Sequence, residues 1–173
     1  GRFRKQDIYK EAPFRFNHAY NFPQLIDIPI EIVFLDATSF EIHIEFLEST
    51  ATVQNYLTKG LSKIDVPVGL FKKRYQFEEP IELPFLKGVV SLTDVGAPLP
   101  KDAYFFQFSG FNEVVASYQS RTSVTNTGNS AILDISLIDK NTEKIVDYLN
   151  TIVSVLRDSQ LNLKNQHTSN TIN

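Results

Sequence analysis

The stretch Phe40-Glu41-Ile42-His43-Ile44-Glu45-Phe46-Leu47 decides the fold class of this chain. Apolar residues at positions 40, 42, 44 and 46 alternate with polar residues at 41, 43 and 45. This period of two is typical of a β-strand that buries one face. Residues 28–35 form a second apolar run, and the polar residues 36–39 between the runs have the length of a hairpin connection. The sequence therefore predicts an antiparallel hairpin within a β-rich body.

Further apolar runs on both sides of this hairpin predict short strands. They lie at 14–18, 71–77, 81–85, 89–93, 103–108 and 131–138, with one long or two broken strands over 114–125. Pro80 and Pro84 bracket one run, which favours a sheet edge or corner for it. The periodicity weakens over 48–68, so we expect a long loop with one short strand there. Turn sequences occupy 96–100 and 126–129.

From Asn141 onward the pattern predicts a helix. Asn141 can cap it, and Glu143 lies where the helix dipole favours an acid. Six apolar residues form one stripe along this helix: Ile145, Val146, Leu149, Ile152, Val153 and Leu156. Their burial would contribute on the order of 10 kcal/mol before entropy costs. We therefore expect the stripe to be covered, by the chain's own sheet in preference to a neighbouring subunit, whereas the polar continuation over 160–173 favours contact with a neighbour.

These patterns together predict an α+β fold. A β-rich, sandwich-like body is followed by a strand and a long C-terminal helix. We divide the chain into a leading segment over 1–13, a β-rich domain over 14–125, and a strand-plus-helix region over 126–173. The chain begins at Gly1 without Met, and its helical pattern has no stop signal before Asn173, so we expect the natural protein to be longer.

The composition argues against several classes of function. The chain has no Cys, which removes disulfides, zinc-thiolate sites and thiol nucleophiles. A formal net charge of −3 argues against a nucleic-acid partner, because such surfaces carry a basic excess. No run of about 18 apolar residues occurs, so we expect any membrane-spanning helices to lie outside this sequence.

The sequence contains few groups that suit catalysis. His18, His43 and His167 lack metal-ligand spacing, and we interpret His43 between Glu41 and Glu45 as part of a solvated strand face. Glu78 and Glu79 are adjacent, and adjacent residues of a strand point to opposite faces, so they would not converge on a glycosidic bond. We find neither a nucleophile elbow nor a phosphate-binding loop. We therefore predict no catalytic, cofactor-binding or metal-ligating residue, and no enzyme activity.

Two clusters invite a binding interpretation. The bases Lys72, Lys73 and Arg74, with Arg2, Arg4 and Lys5, can attract an anionic glycan or lipid head groups, although a solvated face is the interpretation that we favour. The aromatic run Tyr104-Phe105-Phe106-Gln107-Phe108, with Phe111, can stack on sugar rings. We favour the protein core for this run, because strands that are apolar on both faces are usually buried.

Several stretches carry a resemblance to a known family. They are 131–138 (Ala-Ile-Leu-Asp-Ile-Ser-Leu-Ile), 141–144 (Asn-Thr-Glu-Lys), 147–150 (Asp-Tyr-Leu-Asn), 161–165, 170–172, 7–14 and 75–81 (Tyr-Gln-Phe-Glu-Glu-Pro-Ile). They resemble the Wzz-type polysaccharide chain-length determinants, and above all the Bacteroidetes exopolysaccharide co-polymerases, many of which carry a cytoplasmic tyrosine-kinase domain. Relatives often place Gly before Glu-Pro, where this chain has Glu78.

The resemblance implies a fold context and a location. In this family two transmembrane helices flank a periplasmic region whose base is an α/β unit from which long helices rise. This chain would be a β-rich insertion, followed by the strand and the first part of the helix that return to that incomplete base. It would lie in the periplasm, anchored in the bacterial inner membrane by helices outside this sequence, and any kinase domain would also lie outside it.

The resemblance also implies a function without a reaction. The protein would regulate chain length in capsule, exopolysaccharide or O-antigen lipopolysaccharide biosynthesis and export by oligomeric scaffolding. Its implied partners are further copies of itself in a ring and the polymerase or export machinery, with the glycan as an additional candidate. The alternative is a carbohydrate-binding β-sandwich module of a secreted or surface protein, which predicts sugar affinity that Tyr104→Ala or Tyr118→Ala would weaken.

Overall fold

The computed structural model describes residues 10–94, 103–126, 128 and 132–170, without the side chains of 166–170. The fold is α+β, as the sequence predicts, with several antiparallel sheets and a C-terminal helix. The chain divides into two compact units, residues 11–115 in one, and residues 1–10 with 116–173 in the other. None of the described helices has an apolar stretch long enough to span a membrane.

The unit formed by residues 11–115 contains the β-rich body. Its strands are β1 (Phe14–His18), β2 (Gln24–Leu25), β3 (Ile30–Phe34), β4 (Ser39–Phe46), β5 (Thr50–Gln54), β6 (Leu61–Asp65), β7 (Gly69–Gln76), β8 (Pro80–Leu83), β9 (Leu86–Leu92) and β10 (Ala103–Phe106). The described strands form three antiparallel sheets, in the orders β10-β3-β4-β7, β1-β9-β8 and β2-β5-β6. The predicted edge position of the proline-bracketed strand, β8, is confirmed.

The predicted central hairpin is confirmed as the β3–β4 pair. Its turn is closed by the carboxylate of Asp36, which accepts hydrogen bonds from the Thr38 amide at 2.8 Å and from the hydroxyls of Thr38 and Ser39, each at 2.7 Å. These hydrogen bonds, with that from Ser39 the strongest, hold the pKa of Asp36 far below its usual range. The short polar connection at 36–39 therefore helps to fix the register in which β3 and β4 pair.

The alternating residues of β3 and β4 form the centre of the core. Their inward side chains are fully or almost fully buried: Ile30, Ile32, Phe34, Phe40, Ile42, Ile44 and Phe46. The same cluster includes Leu25 from β2, Ile81 from β8 and Val90 from β9, so the three sheets share one core. Edge-to-face ring contacts such as Phe46 to Phe85, with centroids 5.2 Å apart, add directional packing to this burial.

The prediction of a long loop over 48–68 was wrong, because β5 and β6 form an antiparallel hairpin there. The inward residues of β5 include Ala51 and Val53, which are buried. In contrast, β6 lies at a sheet edge and exposes Leu61, Ser62 and Lys63. A strand without a buried face lacks the period-two signal from which a sequence predicts it.

The prediction of one long or two broken strands over 114–125 is confirmed for its last part, strand β11 (Thr122–Asn126), but was wrong for 114–121, which belong to helix α1 (Phe111–Arg121). The adjacent β-branched Val114 and Val115 favoured a strand. The helix has Glu113 in its first turn and Arg121 in its last, which are the favourable charges at its two ends. None of the residues of α1 is buried, so no apolar stripe marked it.

The other unit contains the hairpin of β11 with β12 (Leu133–Leu137) and helix α2 (Thr142–Asn170). The domain boundary that we predicted between 125 and 126 falls inside this hairpin. Because paired strands belong to one unit, the division lies at Val115 instead. The predicted turn at 96–100 lies outside the described residues, and of the turn at 126–129 only Asn126 and Gly128 are described.

The predicted capping of α2 is confirmed, because the Lys144 amide donates to the Asn141 side-chain oxygen at 3.1 Å. The predicted cover of its stripe by the chain's own sheet was wrong: none of the six residues is buried, and Val146, Val153 and Leu156 are exposed. Tyr148 contacts its own unit, stacking on Tyr118 with centroids 4.6 Å apart. A two-stranded hairpin is too small to cover a 29-residue helix.

Candidate functional site

The face of the four-stranded sheet opposite the core carries the polar residues that alternate with the core residues. The strand register places Phe105, Glu31, His43 and Lys72 side by side across β10, β3, β4 and β7. The adjacent row runs from Val33 through Glu41 to Arg74. We define the outer face by six of these residues: Glu31, Glu41, His43, Lys72, Arg74 and Phe105.

His43 lies between two carboxylates at the centre of the outer face. Its Nδ1 is 3.1 Å from an oxygen of Glu31, and its Nε2 is 2.9 Å from an oxygen of Glu41. Only 15% of the His43 side chain is exposed, so it is less solvated than the sequence predicted. Spacing along the strand placed Glu41 on the same face as His43, whereas Glu31 comes from the neighbouring strand, and its contact with His43 was not predicted.

The geometry around His43 is that of an ion-paired histidine rather than a metal site. The two carboxylates contact different ring nitrogens, whose lone pairs diverge, so the three groups do not converge on one point. Among the residues that the structure describes, no group of three His, Cys, Asp or Glu side chains is placed to hold a metal ion.

The contact between Glu41 and His43 predicts how the stability of the fold depends on acid pH. The hydrogen bond from His43 holds the pKa of Glu41 below its usual value, and the positive charges of His43, Lys72 and Arg74 add to this effect. Because the pKa is lower in the folded state, the stabilisation is present above the usual glutamate pKa and is lost as the pH falls through the lowered value. We expect Glu41→Gln to reduce the loss of stability that occurs as the pH falls below the usual glutamate pKa.

Urea unfolding at several pH values, followed by circular dichroism, measures this dependence. Glu45→Gln is the matched control, because Glu45 lies on the same face of the same strand and is exposed. If Glu41→Gln and Glu45→Gln change the acid dependence equally, the contact with His43 has no effect of its own.

The three consecutive bases of β7 are exposed, but they do not form one basic surface. Arg74 donates to the Ser39 hydroxyl at 2.9 Å and lies 3.5 Å from an Asp36 oxygen. The ammonium of Lys73 lies 5.1 Å from the centre of the Tyr75 ring. Because successive residues of a strand point to opposite faces, the charges are divided between two surfaces.

The aromatic run of β10 divides in the same way. Tyr104, Phe106 and Phe108 pack against the core, which confirms the core interpretation for these three rings. Phe105 points to the outer face and is 48% exposed. Tyr118, the other ring proposed as a test of sugar binding, stacks on Tyr148. Tyr104→Ala and Tyr118→Ala would therefore remove structural contacts as well as any sugar contact.

Glu78 and Glu79 lie in the turn between β7 and β8, so their predicted position on a strand was wrong. Glu78 accepts a hydrogen bond from the Ser91 hydroxyl at 3.1 Å, and Glu79 accepts one from the Gln76 amide at 2.7 Å. Glu78 has a φ of 64°, in the left-handed region that favours glycine. The two carboxylates therefore serve separate turn contacts.

The backbone of Glu78 predicts an unusual order of stabilities. At most exposed positions Gly is less stable than Ala, but a left-handed residue with a Cβ costs about 1 kcal/mol. We expect Glu78→Gly to unfold at higher urea concentration than Glu78→Ala, since both lose the contact with Ser91. The same pair of substitutions at Glu79, whose φ is not positive, should show the usual order, with Ala the more stable. An Ala variant at least as stable as the Gly variant at position 78 would contradict the prediction.

Sequence reasoning missed two features of the β-rich unit. An open groove of about 360 Å³ lies beside the end of β4, with Ile26, Phe46 and Ala51 among its buried lining and the carboxylates of Asp27, Glu45 and Glu48 at its rim. A group of rings lies where β1 ends, around His18 and Phe108. The groove and the group of rings each combine residues from separate chain segments, so no local sequence motif predicts them.

Comparisons of this chain with protein-family models, with curated proteins and with solved structures found no match.

Proposed function

We propose that this chain is part of the periplasmic region of a polysaccharide co-polymerase, which regulates glycan chain length by oligomeric scaffolding. The protein would be non-catalytic and anchored in the bacterial inner membrane by helices outside this sequence. Its partners would be further copies of itself and the polymerase or export machinery. The proposal rests on the resemblance of the stretches over 7–14, 75–81 and 131–172, and on the character of α2.

Helix α2 is the observation that carries the proposal. It has 29 residues, which corresponds to a length of about 43 Å. Apolar side chains remain exposed along it, including Val155 at 61% and Leu163 at 54%. Ile145, Leu149, Ile152, Leu156 and Leu163 recur at spacings of a heptad pattern, which is typical of helices that pack against other helices. A scaffold built from neighbouring subunits would cover this surface.

The turn at Glu78 gives separate support. Relatives of the proposed family often have Gly before Glu-Pro, and here the residue before Glu79-Pro80 has the left-handed conformation that Gly adopts most easily. The departure at Glu78 therefore changes the residue while keeping the backbone that a Gly would favour. This agreement is one of conformation and does not depend on the identity of the side chain.

The mass of the complete protein in detergent, measured by native mass spectrometry, tests the proposal. We expect a defined oligomer, and we expect Val155→Lys with Leu163→Lys to weaken it, because a lysine at each exposed apolar position places like charges in the contact. Asn150→Lys is the matched control, since Asn150 is an exposed polar residue of the same helix. A strictly monomeric complete protein would refute the scaffold, and equal effects of Asn150→Lys would remove α2 from the contact.

A further inference from the structure

Four rings form a cluster at the end of β1, and we call His18, Tyr20, Tyr56 and Phe108 the aromatic cluster. The His18 ring lies at the centre, with its centroid 6.0 Å from Tyr20, 5.9 Å from Tyr56 and 5.4 Å from Phe108. The interplanar angles range from 43° to 70°, so the rings are tilted rather than stacked on one another. Tilted rings leave ring faces that a flat ligand can contact.

Most rings of the aromatic cluster do not belong to the hydrophobic core. Phe108 packs against the hydrophobic core, but His18, Tyr20 and Tyr56 do not belong to it. Tyr20 is 59% exposed. A single exposed ring needs no explanation, whereas an exposed tyrosine beside three further rings offers a ligand aromatic surface from more than one chain segment.

Fixed polar groups surround these rings. The Asp27 amide donates to the Phe108 carbonyl at 2.8 Å, which joins the backbone of Asp27 to the segment that carries Phe108, and the Asp27 side chain is exposed. The Tyr56 hydroxyl donates to the Ser109 carbonyl at 2.7 Å, and its oxygen can still accept a hydrogen bond. Burial, and then the negative charge of Asp27, raise the pKa of Tyr56 above its usual value.

The residue before Tyr56 holds this part of the chain in place. The Asn55 side chain donates to the Asn21 carbonyl at 3.1 Å and accepts from the amides of Leu57 and Thr58 at 3.0 and 3.1 Å. These bonds join the segment that carries Tyr56 to the segment that follows Tyr20. The rings and polar groups are therefore positioned before any ligand arrives, which lowers the entropy cost of binding.

We propose that the aromatic cluster binds a pyranose unit of an uncharged glycan. The apolar face of a sugar ring presents C–H groups to the negative face of an aromatic ring. The hydroxyls at the edge of the sugar can donate hydrogen bonds to the Asp27 carboxylate and to the Tyr56 oxygen. The charge of Asp27 opposes an acidic sugar at the same place. This inference rests on the proposed function only for the choice of a glycan polymer as the biological ligand.

Calorimetric titration of the 173-residue chain with hexasaccharides tests the proposal. The probes are cellohexaose, maltohexaose and mannohexaose, with an alginate hexuronate as the acidic comparison. We expect saturable binding of at least one neutral hexasaccharide, and a loss of affinity of about tenfold in both Tyr20→Ala and Asp27→Asn. The matched control is Phe105→Ala, because Phe105 is similarly exposed but lies on the outer face of another sheet, and its affinity should be unchanged.

Three results would overturn the proposal: no saturable binding of any neutral hexasaccharide, binding of the hexuronate as tight as that of the neutral sugars, or an equal loss in Phe105→Ala. If Tyr20→Ala melts at a lower temperature than the unmodified chain, Tyr20→Leu repeats the titration, because its larger apolar side chain removes the aromatic ring with less loss of packing. The mass of the complete unmodified protein, set beside the sugar affinity of the 173-residue chain, separates the two proposals. A sugar-binding chain from a monomeric complete protein would keep the glycan site and refute the scaffold, and an oligomer without sugar affinity would do the reverse.

Discussion

The variant Gly88→Ala should lose about 3 kcal/mol of its free energy of unfolding, because the position has no room for a methyl group. A Cβ there would lie 2.6 Å from the Asn17 carbonyl oxygen and 2.6 Å from the Phe16 ring. Gly88 pairs with His18 of β1 on one side and with Ile81 of β8 on the other. The backbone of the central strand of that sheet therefore cannot move away from one neighbour without meeting the other.

Urea unfolding followed by circular dichroism measures this loss. Gly110→Ala is the matched control, because the atoms nearest to a Cβ at that buried glycine belong to the side chain of Glu113, the first at 3.3 Å, and a flexible side chain can turn aside. The control should change the free energy of unfolding by less than about 1 kcal/mol. If both substitutions have the same small effect, β1 does not approach β9 as closely as the structure indicates.

The second large effect concerns Gln24, a fully buried amide that joins two chain segments. Its Nε2 donates to the carbonyls of Ala19 and Lys87, each at 3.0 Å, and its Oε1 accepts from the Lys87 amide at 3.1 Å. Gln24→Leu keeps a similar volume but leaves the Lys87 amide without its acceptor, whereas the Ala19 and Lys87 carbonyls still accept from the amides of Phe22 and Ala19. We expect a loss of about 1–3 kcal/mol, the cost of one unsatisfied buried group.

The same substitution at an exposed glutamine gives the reference. Gln107→Leu changes the same chemical groups on the surface, and we expect it to alter stability by about 0.5 kcal/mol or less. Thermal unfolding of both variants, together with hydrogen exchange at the Lys87 amide, measures the difference. A Gln24→Leu variant as stable as Gln107→Leu would show that the buried amide holds neither segment.

The sequence predicted those elements whose burial repeats along the chain. The β3–β4 hairpin was predicted because every second residue is buried over its whole length, and the capped start of α2 was predicted because Asn141 acts locally. In contrast, β6 and α1 bury little or nothing, so their sequences lack the periodic signal. Whether an apolar stripe is covered depends on the area of its partner, which for α2 is a short hairpin.

The site was predictable only where its residues are close in sequence. Glu41 and His43 are two residues apart on one strand, and spacing alone placed them on one face. Glu31 meets His43 through the pairing of two strands, which the sequence predicted as a hairpin but without a register. The aromatic cluster brings together residues near positions 18, 56 and 108, and the contacts that join them are tertiary. No pattern along the chain reports such contacts.

The bases of β7 bear on how molecules of this protein behave at high concentration. Among the described strands, β7 is one of the two edge strands of its sheet, so its unpaired backbone groups can pair with a strand of another molecule. If two such strands met in antiparallel fashion, Lys72, Lys73 and Arg74 of one molecule would face the same three cations of the other. Mutual repulsion would keep the molecules apart, and added salt would weaken this protection by screening the charges.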